Sequence, residues 1–456
     1  MPRTPWRLLR IVLMMQPATK RYWDLDRSSI WHPYTRHSVL EGEPFPIMDR
    51  GEGVYLFDTE GNRYFDAISS WWACNLGHGN TRIVEAISRQ ARELQHSILG
   101  NLSHKRAIEL ASRLIKLFPD ERRRVLFAGD GACAVEASLR VAVQYWSNIG
   151  QTGKCRFAAL EDAYHGDTIG AMSVGYMPSF HSAYRPLLFP VLQAETPCCA
   201  ACGHGCSPET CGLECFLSME RILREHAHEL AGVIVEPLCQ GAAGMRMYSP
   251  AYLRRLSELC REHDVLLIVD EIAMGMGRTG KMFAFEHAGI DPDIVCLGKG
   301  LTAGYLPLSA AVVKEHVYAT FSDLPEDHTL YHGHTFAGNP IAAAAAVECL
   351  RVYEDEKVVE RSARCGRLLS ELLEAFRDLP GVTNVRSLGM VGALDLADLP
   401  GGESGAAWAQ RLRRDLLGRG VLIRPLGNVV YLMPPLIVSE AVLAETVDIL
   451  REAVEE

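Results

Sequence analysis

The chain has 456 residues, of which 48% are hydrophobic and 22% are charged, and its formal net charge is −10. This length suits two or three domains, and the composition excludes an intrinsically disordered chain and collagen-like or coiled-coil rods. The negative charge argues against a nucleic-acid partner, which would require a basic surface. No apolar run approaches the roughly 18 residues of a membrane-spanning helix, so no membrane association is expected.

An apolar stretch at residues 8–15 follows two arginines and faintly resembles a secretory signal peptide. Arg10 interrupts this stretch, however, and no small-residue cleavage site follows it before Lys20. We therefore expect either a poorly ordered N-terminal tail or a true start at Met14 or Met15. On this basis we expect a cytoplasmic protein.

The order of apolar and amphipathic segments predicts the domain organisation. Residues 1–75 contain short strand-like segments with turn signals, and we assign them to a smaller domain. Residues 76–345 alternate short apolar runs with amphipathic stretches of helical length, which predicts an α/β large domain with a mainly parallel sheet flanked by helices. Residues 346–456 have an α+β pattern, and we expect them to complete the smaller domain.

The first motif follows an apolar run at residues 125–128 and reads GDGACA, at residues 129–134. Glycines let the backbone approach a phosphate, and a helix N-terminus presents free N–H groups to it. We expect Asp130 to point away from such a ligand or to accept N–H groups of the helix. The motif also fits a dinucleotide fingerprint, although the expected later acid is missing. A phosphate turn, a simple tight turn and an NAD-binding oxidoreductase therefore remain open here.

The second motif, GMGRTGK at residues 275–281, has the glycine and lysine spacing of a P-loop. Met282 occupies the position at which a P-loop carries the Ser or Thr that binds magnesium, and the motif follows Asp270 and Glu271 instead of a strand end. We therefore reject an ATPase and expect a glycine-rich loop beside a site.

The third motif is the pair Asp270 and Lys299, each at the carboxyl end of an apolar run, where open α/β sheets bind ligands. Burial lowers the pKa of a lysine and makes its neutral amine available as a nucleophile. Together with a phosphate-binding helix end, the pair would suit pyridoxal phosphate, with lysine for the Schiff base and aspartate for the pyridinium nitrogen. A structural ion pair explains the same two residues equally well.

Residues 270–281 and 298–304 resemble the signature of the class III pyridoxal-phosphate aminotransferases. Further matches resemble the branch of this family that aminates 8-amino-7-oxononanoate in biotin biosynthesis with S-adenosylmethionine as amino donor. The matching segments are WHPYT at 31–35, SSWW at 69–72, YHGDT at 164–168, HGHTF at 332–336, GNP at 338–340, IRP at 423–425 and YLMPP at 431–435. The resemblance extends from about residue 22 to the C-terminus. It implies fold type I, a homodimer, the cofactor pyridoxal 5'-phosphate and a ping-pong reaction.

The resemblance also implies roles for individual residues at the cofactor. Lys299 would hold the cofactor as a Schiff base, meet the substrate and carry protons, and Asp270 would keep the ring nitrogen protonated. Gly131 and Ala132 would bind the phosphate through their backbone N–H groups. Tyr164 would stack against both cofactor and substrate.

The remaining implied roles concern the substrates and a second subunit. His334 and Thr335 would reach the phosphate from the neighbouring subunit, and Arg424 would bind the carboxylate of the oxononanoate chain. The residues that would line the substrate pocket are Tyr34, Trp71 and Gly333. Tyr34, which is also assigned a catalytic role, resembles the adenosylmethionine users, whereas His334 stands where relatives differ. The alternatives are lysine as donor, or another class III ω-aminotransferase.

Six of the 14 cysteines lie between Cys198 and Cys215, in an insertion at residues 195–216. Two pairs in it have spacing that suits zinc or an iron–sulfur cluster. These candidate ligands are Cys199, Cys202, Cys211 and Cys215. Disulfides or free thiols explain them as well, and a metal-dependent redox or interaction protein stays an alternative. Because the cluster is far from Lys299 in the sequence, we expect a structural role.

Overall fold

The computed structural model describes residues 15–42, 45–207 and 210–456. Most of the apolar N-terminal stretch, including Met14 as a possible start, lies outside the described residues, and the expectations for it stay predictions. In the part of the chain that is described, no helix combines the length and the apolar character needed to cross a bilayer.

The strands, in chain order, are β1 Met48–Glu52, β2 Tyr55–Asp58, β3 Arg63–Asp66, β4 Arg123–Ala128, β5 Arg156–Leu160, β6 Leu192–Ala194, β7 Leu230–Val235, β8 Cys239–Gln240, β9 Arg246–Met247, β10 Leu266–Asp270, β11 Ile294–Leu297, β12 Ser309–Lys314, β13 Val382–Leu388, β14 Val391–Leu396, β15 Val421–Leu422 and β16 Val429–Leu432. The helices are α1 Pro17–Ser29, α2 His37–Gly42, α3 Thr81–Glu93, α4 Lys105–Ile115, α5 Gly131–Asn148, α6 Ile169–Val174, α7 Pro178–His181, α8 Leu217–His226, α9 Pro250–Glu262, α10 Glu315–Tyr318, α11 Pro340–Asp355, α12 Val358–Leu373, α13 Gly405–Gly418 and α14 Glu440–Glu455. Short 3₁₀ segments are Ser182–Leu187, Glu214–Phe216, Ala284–His287, Lys299–Thr302 and Glu374–Phe376.

The large domain is built on a seven-stranded sheet with the order β4-β12-β11-β10-β7-β5-β6. Its strands run parallel except β12, which is antiparallel to both of its neighbours. This confirms the mainly parallel α/β sheet that the sequence predicted. The carboxyl ends of β5, β7, β10 and β11 therefore meet at one edge of the sheet, which is where such sheets bind ligands.

Strand β10 illustrates why an apolar run forms a central strand here. Its side chains alternate between two cores: Leu267 and Val269 pack into the core shared with α9 and α11, whereas Leu266 and Ile268 pack into the core that includes α5. Because both faces are covered, every position must be apolar until the strand reaches its end. The first side chain free to be polar is Asp270.

Besides the antiparallel pair of β8 and β9, two smaller sheets complete the described structure. Strands β13, β14 and β16 form an antiparallel sheet, against which α12 and α13 pack. In the other sheet, of order β1-β2-β3-β15, the C-terminal β15 pairs in parallel with the N-terminal β3 through Val421 and Phe65. The first and last parts of the chain thus share a sheet, while the domain boundaries themselves stay a prediction.

Candidate functional site

A cavity of about 410 Å³ lies at the carboxyl edge of the large sheet. Its walls come from segments that are far apart in the sequence, including the start of α5, the loop after β5 and the segments after β10 and β11. The predicted site residues that line it are Gly131, Ala132, Tyr164, Asp270 and Lys299. Five of the proposed positions thus come together around one space.

Asp270 ends β10 and is 5% exposed. Its Oδ2 lies 2.7 Å from Nδ1 of His165, and its Oδ1 accepts the backbone N–H of Ile272 at 3.0 Å. His165 is itself buried, so its Nδ1–H is the donor to an ionised carboxylate. The sequence analysis quoted His165 within a motif but gave it no role; it orients the aspartate.

Lys299 opens the 3₁₀ segment after β11, with a positive φ of 39°. Its Nζ lies 4.8 Å from the ring centre of Trp72. Complete burial lowers the pKa of Lys299, opposed by the charges of Asp270 and Glu236, and this is the direction expected from the sequence. Among the ion pairs of the described residues, none joins Lys299 to Asp270. The structural ion pair considered above is therefore wrong.

The start of α5 forms one wall of the cavity through Asp130, Gly131 and Ala132. Asp130 accepts the N–H of Cys133 at 2.9 Å and so caps the helix, as expected. Among the bonds of the described residues, none uses the N–H of Gly131 or Ala132, so both are available to an anion. A Cβ at Gly131 would lie 3.0 Å from the Ile272 side chain, so glycine keeps this wall thin.

Glu236 is a buried acid in the cavity wall that the sequence analysis missed. Its carboxylate accepts the N–H groups of Tyr164 at 3.1 Å and Gly241 at 3.0 Å. Burial raises the pKa of Glu236 to about 7; the charge of Asp270 adds to this rise, and His165 opposes it. A signal was present, because Glu236 follows the apolar strand β7 just as Asp270 ends β10.

Two adjacent tryptophans have different environments. Trp72 is buried, lines the cavity and donates from Nε1 to the hydroxyl of Tyr431 at 3.1 Å. Trp71 is 39% exposed and carries the Arg424 guanidinium 4.3 Å from its ring centre. Its ring also meets that of Tyr34 edge-on, at 5.9 Å. Trp71, Tyr34 and Arg424 therefore form one cluster, and Trp72 is a wall residue that the sequence analysis missed.

The backbone from Ser69 to Trp72 is a left-handed turn, with φ of 45° at Ser70 and 72° at Trp71. Residues other than glycine lose about 1–2 kcal/mol each in this conformation. Hydrogen bonds hold the turn: Ser69 Oγ donates to the Met433 carbonyl at 2.7 Å, and Ser70 bonds to Asp66 through N–H and Oγ. The strained turn places Trp72 in the cavity wall and Trp71 against Arg424 and Tyr34.

A carboxylate joins the two predicted tyrosines. Tyr34 donates to Oδ1 of Asp167 at 2.5 Å, and Tyr164 donates to the same oxygen at 3.1 Å. Burial and then the bond to Asp167 raise the pKa of Tyr34 to about 12, so its hydroxyl keeps its proton at neutral pH. Asp167 lines the cavity, and this too was missed.

Three predicted residues lie elsewhere in this chain. Gly333, His334 and Thr335 are exposed and do not line the cavity. The ring of His334 lies 5.1 Å from that of His332, which approaches Arg140. Their roles across a subunit interface stay predictions.

The glycine-rich segment at residues 275–281 joins parts of the fold and does not bind phosphate in the way of a P-loop. Arg278 is fully buried and donates to the Pro434 carbonyl at 2.5 Å and to Asn75 Oδ1 at 2.9 Å. Lys281 instead points to the Glu286 carbonyl, at 3.1 Å. The segment packs behind the cavity, consistent with the rejection of an ATPase.

A metal bound by the cysteine-rich segment stays a prediction. Its cysteines are free thiols, and no group of three or more metal-ligating side chains is found among the residues that are described. Neighbouring polar groups are paired locally: Cys206 Sγ donates to Glu214 at 3.3 Å, and His204 Nε2 lies 2.8 Å from Glu195. Burial and then the charges of neighbouring groups raise the pKa of Cys215 to about 12, and these neighbours include the other three candidate ligands, Cys199, Cys202 and Cys211.

Known proteins resemble this chain over most of its length. A class III aminotransferase family model matches residues 38–454. The chain is 41% identical to a Geobacter sulfurreducens protein named adenosylmethionine-8-amino-7-oxononanoate aminotransferase, over 96% of this chain and 97% of that protein. The crystal structure of the Methanocaldococcus jannaschii protein of that name has a TM-score of 0.89 and 37% identity, covering 95% and 98% of the two chains.

A second similar structure carries cofactor information. It is an amine transaminase from an uncultivated Pseudomonas species in the PLP-bound internal aldimine form, with a TM-score of 0.88 and 34% identity, covering 93% of this chain and 98% of that one. The dinucleotide-binding interpretation of residues 129–134 has no support among these similarities.

Proposed function

Because the chain belongs to the class III aminotransferase family, we propose that it transfers the amino group of S-adenosylmethionine to 8-amino-7-oxononanoate, giving 7,8-diaminononanoate for biotin synthesis. The chain is an aminotransferase by family, and relatives in several organisms are named for this reaction. The observation that carries the proposal is a buried lysine and a buried, histidine-bound aspartate facing one cavity beside a capped helix end.

The residues present fit pyridoxal 5'-phosphate, the cofactor of this family. Lys299 would hold its aldehyde carbon, Asp270 its ring nitrogen, and the N–H groups of Gly131 and Ala132 its phosphate, with Tyr164 beside the ring. The bound cofactor would supply an electron sink, through which an amino group passes from one substrate to the other in two half-reactions.

Lys299, Asp270 and Glu236 would have separate roles in the reaction. Burial lowers the pKa of Lys299 and so favours the neutral amine, the form that acts as a nucleophile and that would take and return a proton at the reacting carbon. The 2.7 Å contact with His165 holds the carboxylate of Asp270 in place, where it would meet the ring nitrogen of the bound cofactor. Glu236 accepts the backbone N–H of Tyr164 and so fixes the position of its aromatic ring at the cavity.

The cluster of Trp71, Tyr34 and Arg424 suits the acceptor. Its oxononanoate chain is apolar with one terminal carboxylate, which calls for an aromatic wall and one arginine. A guanidinium binds a carboxylate through two parallel hydrogen bonds. Stacking on Trp71 keeps the Arg424 guanidinium in place while leaving its edge free for that carboxylate.

A second copy of the chain would complete the site. Gly333, His334 and Thr335 lie in an exposed segment, and large apolar side chains nearby, Tyr331 at 81% and Phe336 at 66%, are also exposed. Such a concentration of apolar surface is typical of an interface between subunits. A homodimer would bring this segment to the partner's phosphate site, as the family resemblance implies. The cytoplasmic location likewise stays a proposal.

The experiment supplies the purified protein with 8-amino-7-oxononanoate and, in turn, S-adenosylmethionine, lysine or β-alanine, and measures diaminononanoate by mass spectrometry. We expect product with S-adenosylmethionine. If product formed with lysine and not with S-adenosylmethionine, lysine would be the amino donor. If the protein acted only on another acceptor, it would be a different ω-aminotransferase. Gel filtration of the same sample tests whether the protein is a dimer by measuring its apparent molecular mass.

A further inference from the structure

His181 is a buried histidine beside the cavity for which the reaction described so far has no use. It ends the short helix α7 and is 1% exposed. Its Nδ1 accepts the backbone N–H of Met177 at 3.2 Å. Since Nδ1 uses its lone pair in this way, the ring proton resides on Nε2.

The Nε2 of His181 is a buried donor without a hydrogen-bond partner among the described residues. It lies 3.8 Å from Oδ1 of Asp167, slightly beyond hydrogen-bond length. Leaving a buried donor unpaired costs free energy, so such groups call for a functional explanation. The ring is held in this place by aromatic neighbours, with Tyr164 stacked at 6.2 Å and Phe180 edge-on at 6.2 Å.

Asp167 is the group on which these donors converge. Tyr34 and Tyr164 both donate to its Oδ1, the same oxygen that His181 Nε2 approaches. In the described part of the chain, Oδ2 receives no hydrogen bond, and the side chain is 55% exposed in the wall of the cavity. One oxygen is therefore bound by the protein, and the other is free for a ligand.

We propose that His181 is a positioning residue for the amino donor: it holds the Asp167 carboxylate, and with it the hydroxyls of Tyr34 and Tyr164, in the arrangement that a cationic donor meets. A shift of less than 1 Å in the carboxylate would complete the bond from Nε2. The acceptor has one ammonium group and one carboxylate and so no net charge, whereas S-adenosylmethionine and lysine each carry a net positive charge, which the Asp167 carboxylate attracts. The effect of His181 therefore falls on the donor, whose identity rests on the proposed function.

Two substitutions separate the two ring nitrogens. His181→Asn keeps an acceptor for the Met177 N–H and removes the Nε2 donor, whereas His181→Gln carries an amide N–H to the Nε2 position. We expect His181→Asn to raise the KM for the donor about tenfold, with kcat and the KM for the acceptor within about twofold. His181→Gln restores most of the donor KM. A loss in both variants, on both substrates, would indicate a structural role and overturn the proposal.

A double-mutant cycle with Asp167→Asn tests whether His181 acts through the carboxylate. If it does, adding His181→Asn to Asp167→Asn changes the donor KM by less than about twofold; an undiminished tenfold effect would overturn the proposal. Thermal melting of each variant measures folding separately. The donor assay on the wild-type protein tests the proposed function by itself. The double-mutant cycle uses whichever cationic donor the wild type accepts. The proposed function and the role of His181 can therefore fail independently.

Discussion

In the cavity, hydrogen bonds join ionisable side chains from distant parts of the chain, whereas in the cysteine-rich segment at residues 198–215 they join near neighbours. The bond between His165 and Asp270 spans 105 positions. The bonds of Cys206 to Glu214 and of His204 to Glu195 span 8 and 9 positions. Both regions have residue types and spacing that suit chemistry.

The difference between the regions is burial. Desolvation lowers the pKa of Lys299 and raises that of Glu236, so the cavity contains groups whose protonation differs from that in water. Cys199 and Cys211 are exposed, and their neighbours form bonds that a short loop can make by itself. Spacing that suits a ligand indicates a site only when the fold also buries and aims the side chains.

Replacing the buried Lys299 in the cavity is expected to have the largest effect on activity of the substitutions that we propose. We expect Lys299→Ala to reduce diaminononanoate formation by about 10⁴-fold or more, because no other group supplies the nucleophile and proton carrier. The visible absorbance of the protein–cofactor adduct disappears as well. Lys281→Ala is the matched control, since Lys281 bonds only a carbonyl behind the cavity, and it keeps rate and spectrum. Retained absorbance in Lys299→Ala would contradict the assignment.

Replacing Arg424 tests the cluster of Trp71, Tyr34 and Arg424, which we propose binds the acceptor. Arg424→Lys keeps the charge but loses the paired hydrogen bonds and the flat contact with Trp71. We expect the KM for the acceptor to rise about 10- to 100-fold and the KM for the donor to stay within about twofold. Steady-state kinetics with each substrate varied in turn measures both. An equal rise for the two substrates would exclude a specific carboxylate contact.

Burial also makes Glu271, the neighbour of the cavity residue Asp270, respond to pH differently from an acid of the cysteine-rich segment. Glu271 is 1% exposed, and burial raises its pKa from 4.5 to about 8, although the N–H groups of Ala284 and Phe285 oppose the rise. A raised carboxyl pKa stabilises the fold below pH 4.5, and this contribution is lost as pH rises from 4.5 to about 8. By contrast, the pKa of the half-buried Glu214 is lowered by hydrogen bonds to its carboxylate.

We therefore expect Glu271→Gln to flatten the fall in unfolding free energy between pH 5.5 and pH 8, by on the order of 2–4 kcal/mol. Urea denaturation at the two pH values measures the difference. Glu214→Gln leaves the fall unchanged, because that carboxyl is ionised throughout this range. If both variants had the same slope as the wild type, Glu271 would not carry a raised pKa.

The smallest effect is expected in the cysteine-rich segment. Cys202→Ser and Cys211→Ser should leave kcat and both KM values within about twofold of the wild type, because neither thiol contacts the cavity. Metal analysis of the purified protein and activity after treatment with a chelator complete the measurement. One equivalent of zinc or iron, lost in either variant together with stability, would make this segment an assembled site after all.

Part of the site could be predicted from the sequence because its residues hold positions defined by local pattern. Asp270 and Lys299 follow runs that are apolar throughout, and Asp130 stands where a helix cap belongs. His165, Glu236 and Asp167 were given no role, although each lies in or beside a motif or strand end. Their roles depend on partners that local sequence does not specify.

The sequence by itself determined the central strands, their ends and the capped start of α5, since side-chain periodicity and capping act over a few residues. Only the tertiary structure decided that His165 supports Asp270 and that Trp72 and not Trp71 lines the cavity. Those outcomes depend on strand order and on a strained turn held by distant bonds. Such contacts form between segments that are distant in the sequence and meet only in the folded chain, so local sequence does not specify them.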